Sequence, residues 1–184
     1  DGTIMTYGDL VAASGAMANA LAARGVAPGD RVAVQVEKCP EALVLYLATV
    51  RAGAIFLPLN TGYTLAELSY FFSDAEPKLV VCDPRHRDAI LTAVPPGGAV
   101  ETLDAAGAGA RTLAAAAMPS EFSDVPRGID DLAAILYTSG TTGRSKGAML
   151  THGNLASNAQ TLAKLWQFTP SDVLIHALPI FHTH

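Results

Sequence analysis

The sequence predicts an α/β fold, a layered sandwich of mostly parallel sheets flanked by helices. Two observations predict it. Short apolar runs such as "DRVAVQVE", "IFLPLN" and "KLVVCD" recur along the chain, the pattern of strands buried on both faces. Segments of helical periodicity separate them, and strand–helix–strand is the repeating unit of a parallel sheet. With 184 residues, 50% of them hydrophobic and 16% charged, the chain can bury a sizeable core.

Each element follows from local chemistry. Thr6 opens "TYGDLVAASGAMANALAARG", with Asp9 three residues later as a capping partner and Gly25 as the stop. Leu10, Met17 and Leu21 recur there at helical spacing. A strand is predicted over 30–37 and another over 55–60. Between them "PEALVLYLATVRAG" reads as a helix, with Pro40 in its first turn and Gly53 at its end. A helix at 65–73, a strand at 78–83, a helix near 86–94 and a strand at 99–103 continue the alternation. From about 104 to 130 the composition turns to Ala, Gly, Pro and Ser, apart from a short helical stretch "ARTLAAAAM", so this segment is expected to connect two parts. The strand "LAAILYT" (132–138), a glycine-rich stretch, "GAML", a helix from about 152 to 166 and a strand "DVLIHALP" follow.

Composition excludes some classes of function. Twelve basic and 17 acidic residues leave a net charge of −5, which argues against a nucleic-acid partner. No apolar run is long enough to span a membrane, and no basic-then-apolar leader opens the chain. Cys39 and Cys82 stand alone, without a CxxC, which fits a reduced, cytoplasmic protein; Cys82 is expected to be buried and inert. The chain begins at Asp1 and stops after "PIFHTH", so a piece of a longer protein is expected.

The chemistry concentrates in Thr138-Ser139-Gly140-Thr141-Thr142-Gly143-Arg144-Ser145-Lys146-Gly147. An apolar strand runs straight into it, and in open α/β sheets ligands sit beyond the carboxyl ends of strands. Glycines let backbone N–H groups approach an anion, and the hydroxyls of Thr138, Ser139, Thr141, Thr142 and Ser145 add donors. Lys146 supplies a point charge and Arg144 a second. The missing bulk leaves room for a polyphosphate. The GxxxxGK[ST] loop does not fit, because Ser145 stands where its second Gly would be and Gly147 follows Lys146; GxGxxG does not fit either. A flexible loop of the same composition is the alternative, but the basic residues and flanking apolar strands favour phosphate binding.

"YTSGTTGRSKGAMLTHGNL" closely resembles the signature of the adenylate-forming superfamily, which contains acyl-CoA synthetases, luciferases and peptide-synthetase adenylation domains. Its usual form is [ST]-[SG]-G-[ST]-T-G-x-P-K-G; here Ser145 stands in place of Pro. "TYGDL", "GDRVAVQVEKCPEALVLYLATVRAGAIFLPLN", "DAEPKLVVCD" and "HALPIFHTH" extend the resemblance over nearly the whole chain. Within the superfamily the wording is most similar to bacterial malonyl-CoA synthetases.

The resemblance implies that the chain opens a large N-terminal domain. Residues 1–103 would form its first α/β lobe, 104–130 a connecting segment, and 131–184 the start of a second part. It also implies a ligase that uses ATP, Mg²⁺ and coenzyme A on a small carboxylic acid such as malonate. Thr138 to Lys146 would hold the β- and γ-phosphates, Lys146 serving catalysis as well, and Thr138 would place a hydroxyl near Mg²⁺. His182 would lie beside the carboxylate and the adenylate. Outside the resemblance, His182 and His184 read first as strand-capping residues facing solvent, and last as a metal pair, for which no third ligand is visible. His152 and Asn154, after Thr151, read as a helix N-terminus, His86 as a surface residue and His176 as a strand residue. The family's adenine pocket, magnesium carboxylate, hinge and C-terminal domain normally come after this point. The 184 residues alone are therefore expected to be inactive. A ligase for another short acid, an amino-acid adenylation domain and a non-catalytic nucleotide-binding module remain alternatives.

Overall fold

The computed structural model describes residues 2, 4–103, 118–138 and 144–181. Six strands form one sheet in the order β4-β3-β1-β2-β5-β6. They are β1 (Arg31–Gln35), β2 (Ile55–Pro58), β3 (Leu79–Cys82), β4 (Ala99–Thr102), β5 (Leu132–Thr138) and β6 (Lys146–Thr151). The first five run parallel, and β6 pairs antiparallel with β5.

Both sheet faces are covered, which is why the strands read as continuous apolar runs. Val32, Val34, Leu79 and Val81 point to one face, where they pack with Met17 and Leu21 of α1 (Tyr7–Ala23) and Val44 and Leu45 of α2 (Pro40–Arg51). Their neighbours Ala33, Val80 and Cys82 point the other way, against Leu68, Phe71 and Phe72 of α3 (Leu65–Ala75) and Ile90 of α4 (Arg87–Ala93). The last helix, α5, spans His152–Leu165.

The helix boundaries follow the capping chemistry. Thr6 and Asp9 close a capping box on α1, Thr64 and Glu67 do so on α3, and Thr151 and Asn154 on α5. Pro40 is the first residue of α2, and Gly53 follows that helix at φ +70°.

Residues 118–130 strap the helices of one face. Asn19 Nδ2 donates to the carbonyls of Pro119 and Glu121 at 2.8 and 3.0 Å. The Arg51 guanidinium binds Asp124 at 2.7 Å, and the Val125 N–H donates to the Arg51 carbonyl. The helix expected at "ARTLAAAAM" lies outside the described residues except for Met118.

One expectation is corrected. "DVLIHALP" forms no strand: residues 172–179 are irregular and exposed, with Val173 at 90% and Ile175 at 84%. A strand exists only as a paired ladder, and this segment pairs with none of the described strands. His176 accordingly sits on an irregular segment.

Candidate nucleotide-binding site

The site grows from the end of β5. Because β5 runs parallel to β1–β4, its last residue, Thr138, lies at the carboxyl edge of the sheet. The chain returns as β6, so the glycine-rich stretch joins the arms of an antiparallel hairpin. The register sets Thr138 opposite Lys146 and Tyr137 opposite Gly147. Both Thr138 and Lys146 are exposed, and Thr138 Oγ1 lies 3.5 Å from the Lys146 carbonyl. Gly147 has a packing role. A Cβ there would meet Ile135 Cγ2 at 2.9 Å and the Tyr137 ring at 3.6 Å.

Of the residues expected to hold phosphate, Thr138, Arg144, Ser145 and Lys146 therefore gather at the mouth of one hairpin. Ser139, Gly140, Thr141, Thr142 and Gly143 lie outside the described residues, as do His182 and His184. His152 is the first residue of α5 and Asn154 completes its capping box, so both serve the helix.

Sequence reading missed the support beneath this hairpin. Tyr70 and Asp74 are four residues apart and share one face of α3. The Tyr137 hydroxyl donates to Asp74 Oδ2 at 2.5 Å, and the Tyr70 hydroxyl donates to the Ser145 carbonyl at 3.0 Å. The Arg144 guanidinium sits over the Tyr70 ring, 5.8 Å from its centroid. Phe71 packs against Tyr63, Tyr70 and Tyr137, which makes the support an aromatic tray. Burial pushes the Tyr137 phenol above its ordinary range, and the bond to Asp74 and its charge push it further. A tyrosine–aspartate pair at i and i+4 was visible in the sequence, but its partners lie more than sixty residues away.

On the other face, the surface beside β2, β5 and β6 is largely apolar. A cavity of ≈ 230 Å³ there is lined largely by apolar side chains, among them Tyr46, Phe56, Leu136, Leu150 and Leu155. Nearby, Lys38 Nζ donates to the carbonyls of His176 and of Leu178, the latter at 3.0 Å. That holds the segment that leads to His182. Among the described residues no group of three or more His, Cys, Asp or Glu could hold a metal ion. Thr138 Oγ1 thus fits as one oxygen ligand, not as a complete magnesium site. Nor is any described helix long and apolar enough to cross a membrane.

The family model described as AMP-binding enzyme matches residues 1–184, the whole chain. The chain belongs to the AMP-binding enzyme family. Among other members, the feruloyl-CoA synthase of Amycolatopsis sp is 36% identical over 188 residues, covering 98% of this chain and 35% of that protein. The long-chain-fatty-acid–CoA ligase FadD13 of Mycobacterium tuberculosis is 35% identical, covering 97% of this chain and 36% of that protein. In structure the chain matches ATP-bound MatB of Rhodopseudomonas palustris with a TM-score of 0.95 and 64% identity, covering 100% of this chain and 37% of MatB. The chain therefore spans little more than a third of the length of these relatives.

Proposed function

We propose that this chain forms part of an ATP-dependent acid–thiol ligase, acting on malonate to give malonyl-CoA. The observation that carries the reading is the Thr138–Lys146 hairpin mouth at the carboxyl edge of a parallel sheet, spelled as the phosphate signature of the family. The 64% identity to ATP-bound MatB supports ATP as substrate and malonate as the acid, since the wording also resembles malonyl-CoA synthetases.

The reaction has two halves. A carboxylate oxygen attacks the α-phosphorus of ATP; its O–P bond forms as the α–β P–O bond breaks, and pyrophosphate leaves. The thiol of coenzyme A then attacks the acyl carbon, AMP departs, and the thiol proton is released. In-line attack needs positioning and charge neutralisation more than covalent help from the protein. Lys146 supplies a positive charge beside the departing pyrophosphate, and Arg144 a second. Ser139, Thr141, Thr142 and Ser145, with the backbone at Gly140 and Gly143, donate to phosphate oxygens. Thr138 offers one hydroxyl to Mg²⁺, which supplies charge neutralisation on the phosphates. His182 orients the acid and, when charged, offsets a second carboxylate.

Pyrophosphate exchange into ATP tests the reading, run on a full-length enzyme containing this chain with malonate, methylmalonate, acetate, a medium-chain fatty acid and amino acids. Malonate-dependent exchange that falls on the order of a hundredfold in Lys146→Ala is expected. Exchange with another acid alone keeps the reaction class and discards malonate. No exchange with any acid, from folded protein that binds ATP, points to a non-catalytic nucleotide-binding module.

A further inference from the structure

We infer that Tyr70 of α3 is a positioning residue for the outgoing arm of the hairpin, setting Arg144, Ser145 and Lys146 for the terminal phosphates of the nucleotide. The inference rests on the nucleotide-site reading above and extends it to a helix outside the signature.

Tyr70 holds two consecutive residues by two different means. Its hydroxyl donates to the Ser145 carbonyl at 3.0 Å, and its ring face receives the Arg144 guanidinium 5.8 Å from the centroid. Lys146 comes next in the chain, and its backbone is registered against Thr138. The path from Arg144 to Lys146 is therefore pinned on one side by α3 and on the other by β5. Tyr70 itself has little freedom, because its ring is half-buried and packs against Phe71 and Tyr137. A rigid donor aimed at a carbonyl constrains a loop without touching its ligand.

The identity of residue 145 makes this restraint consequential. The family signature usually has proline there, whose ring fixes φ. Ser145 leaves φ free, and the Tyr70 bond falls on its backbone carbonyl, an acceptor that proline also carries. Hydrogen bond and proline are thus two restraints on the same few torsions. One should substitute for the other.

The test uses calorimetric binding of MgATP, pyrophosphate and AMP to a full-length enzyme carrying these residues. Tyr70→Phe keeps the ring, and so the packing and the contact with Arg144, but removes the hydroxyl. It should weaken MgATP and pyrophosphate binding about tenfold while leaving AMP, which lacks the β- and γ-phosphates, unchanged. Adding Ser145→Pro to Tyr70→Phe should restore most of that loss. Tyr63→Phe makes the same chemical change in the same aromatic tray and should alter no affinity. If Tyr70→Phe weakens all three ligands equally, or if Ser145→Pro gives no rescue, Tyr70 is structural only and the inference falls. If Lys146→Ala weakens MgATP binding but Tyr70→Phe does not, this inference alone is overturned. Wild-type enzyme that binds no MgATP overturns the nucleotide-site reading and this inference together.

Discussion

The Tyr137 hydroxyl donates a 2.5 Å hydrogen bond to Asp74 Oδ2, tying the penultimate residue of β5 to the end of α3. Tyr137 is only 8% exposed, so its hydroxyl has little water to fall back on. Tyr137→Phe should therefore lower unfolding stability by about 1–2 kcal/mol, measured by urea denaturation. The pH dependence has a definite sign. Burial, then Asp74, raise the folded-state pKa of Tyr137 above its unfolded value, so this contribution is complete below about pH 10 and is lost as pH rises beyond it. The wild type should lose stability more steeply than Tyr137→Phe in alkali. Parallel alkaline curves for the two proteins would remove the assignment.

Most of the sheet was legible because its strands are buried on both faces and leave few alternatives. "VAV" in β1 and "LVVC" in β3 alternate between the α1–α2 side and the α3–α4 side, and both sides demand apolar residues. Helix starts were legible for a local reason: Thr6 with Asp9 needs nothing distant to cap α1. What escaped notice depends on partners remote in sequence. In β6, Ala148 and Met149 are apolar yet exposed, as is Lys146, so burial does not explain the strand; its strand state comes from pairing with β5. Conversely, "DVLIHALP" has the pattern of a strand but pairs with no described strand. Tyr70 and Ser145 are 75 residues apart, and no periodicity encodes a contact across that span.

At the end of β3, Asp83 is held by Arg85, whose guanidinium donates to both carboxylate oxygens at 2.8–2.9 Å. Those bonds hold the Asp83 carboxyl down to about 2, against the opposing effect of its burial. A depressed folded-state pKa gives stability that is present above the ordinary carboxylate range and lost as pH falls toward 2. Asp83→Asn keeps an acceptor for the Arg85 N–H but removes the charge. Because the Arg85 side chain is 74% exposed, solvent screens the pair and the cost at neutral pH should be small, on the order of 2–4 °C in Tm. Between pH 4 and pH 2 the Tm of the wild type should fall toward that of the variant; a constant gap would show that Asp83 titrates normally.

Both cysteines are buried, Cys82 completely so. Burial first, and then the charge of Asp83, push the Cys82 thiol up to about 12, while burial also raises Cys39. The native protein at pH 8 should consume essentially no thiol reagent over the time in which the unfolded protein consumes two equivalents. Prompt modification of one thiol under native conditions would mean that its element opens readily. Mass spectrometry of the product would then say which.

The strap over α1 offers the sharpest test of packing. Gly15 is buried on α1, and a Cβ built there would lie 2.0 Å from the carbonyl oxygen of Ser120 and 3.1 Å from its carbon. Neither is the flexible end of a side chain. Gly15→Ala must therefore lift residues 118–122 from α1 or displace the helix, and either change disturbs the hydrogen bonds from Asn19 to Pro119 and Glu121. Overpacking of this kind costs about 1–3 kcal/mol, which matches or exceeds the roughly 1 kcal/mol that alanine gains over glycine by helix propensity. Gly8→Ala is the control on the same helix, since the nearest atom to its added Cβ is Thr6 Oγ1 at 3.6 Å. It should be neutral or stabilise by about 0.5 kcal/mol. Urea unfolding of both variants decides the matter. If Gly15→Ala is as stable as Gly8→Ala, residues 118–122 do not cross α1 as closely as described. If it is destabilised while protease sensitivity increases near residue 120, the strap is the part that yields.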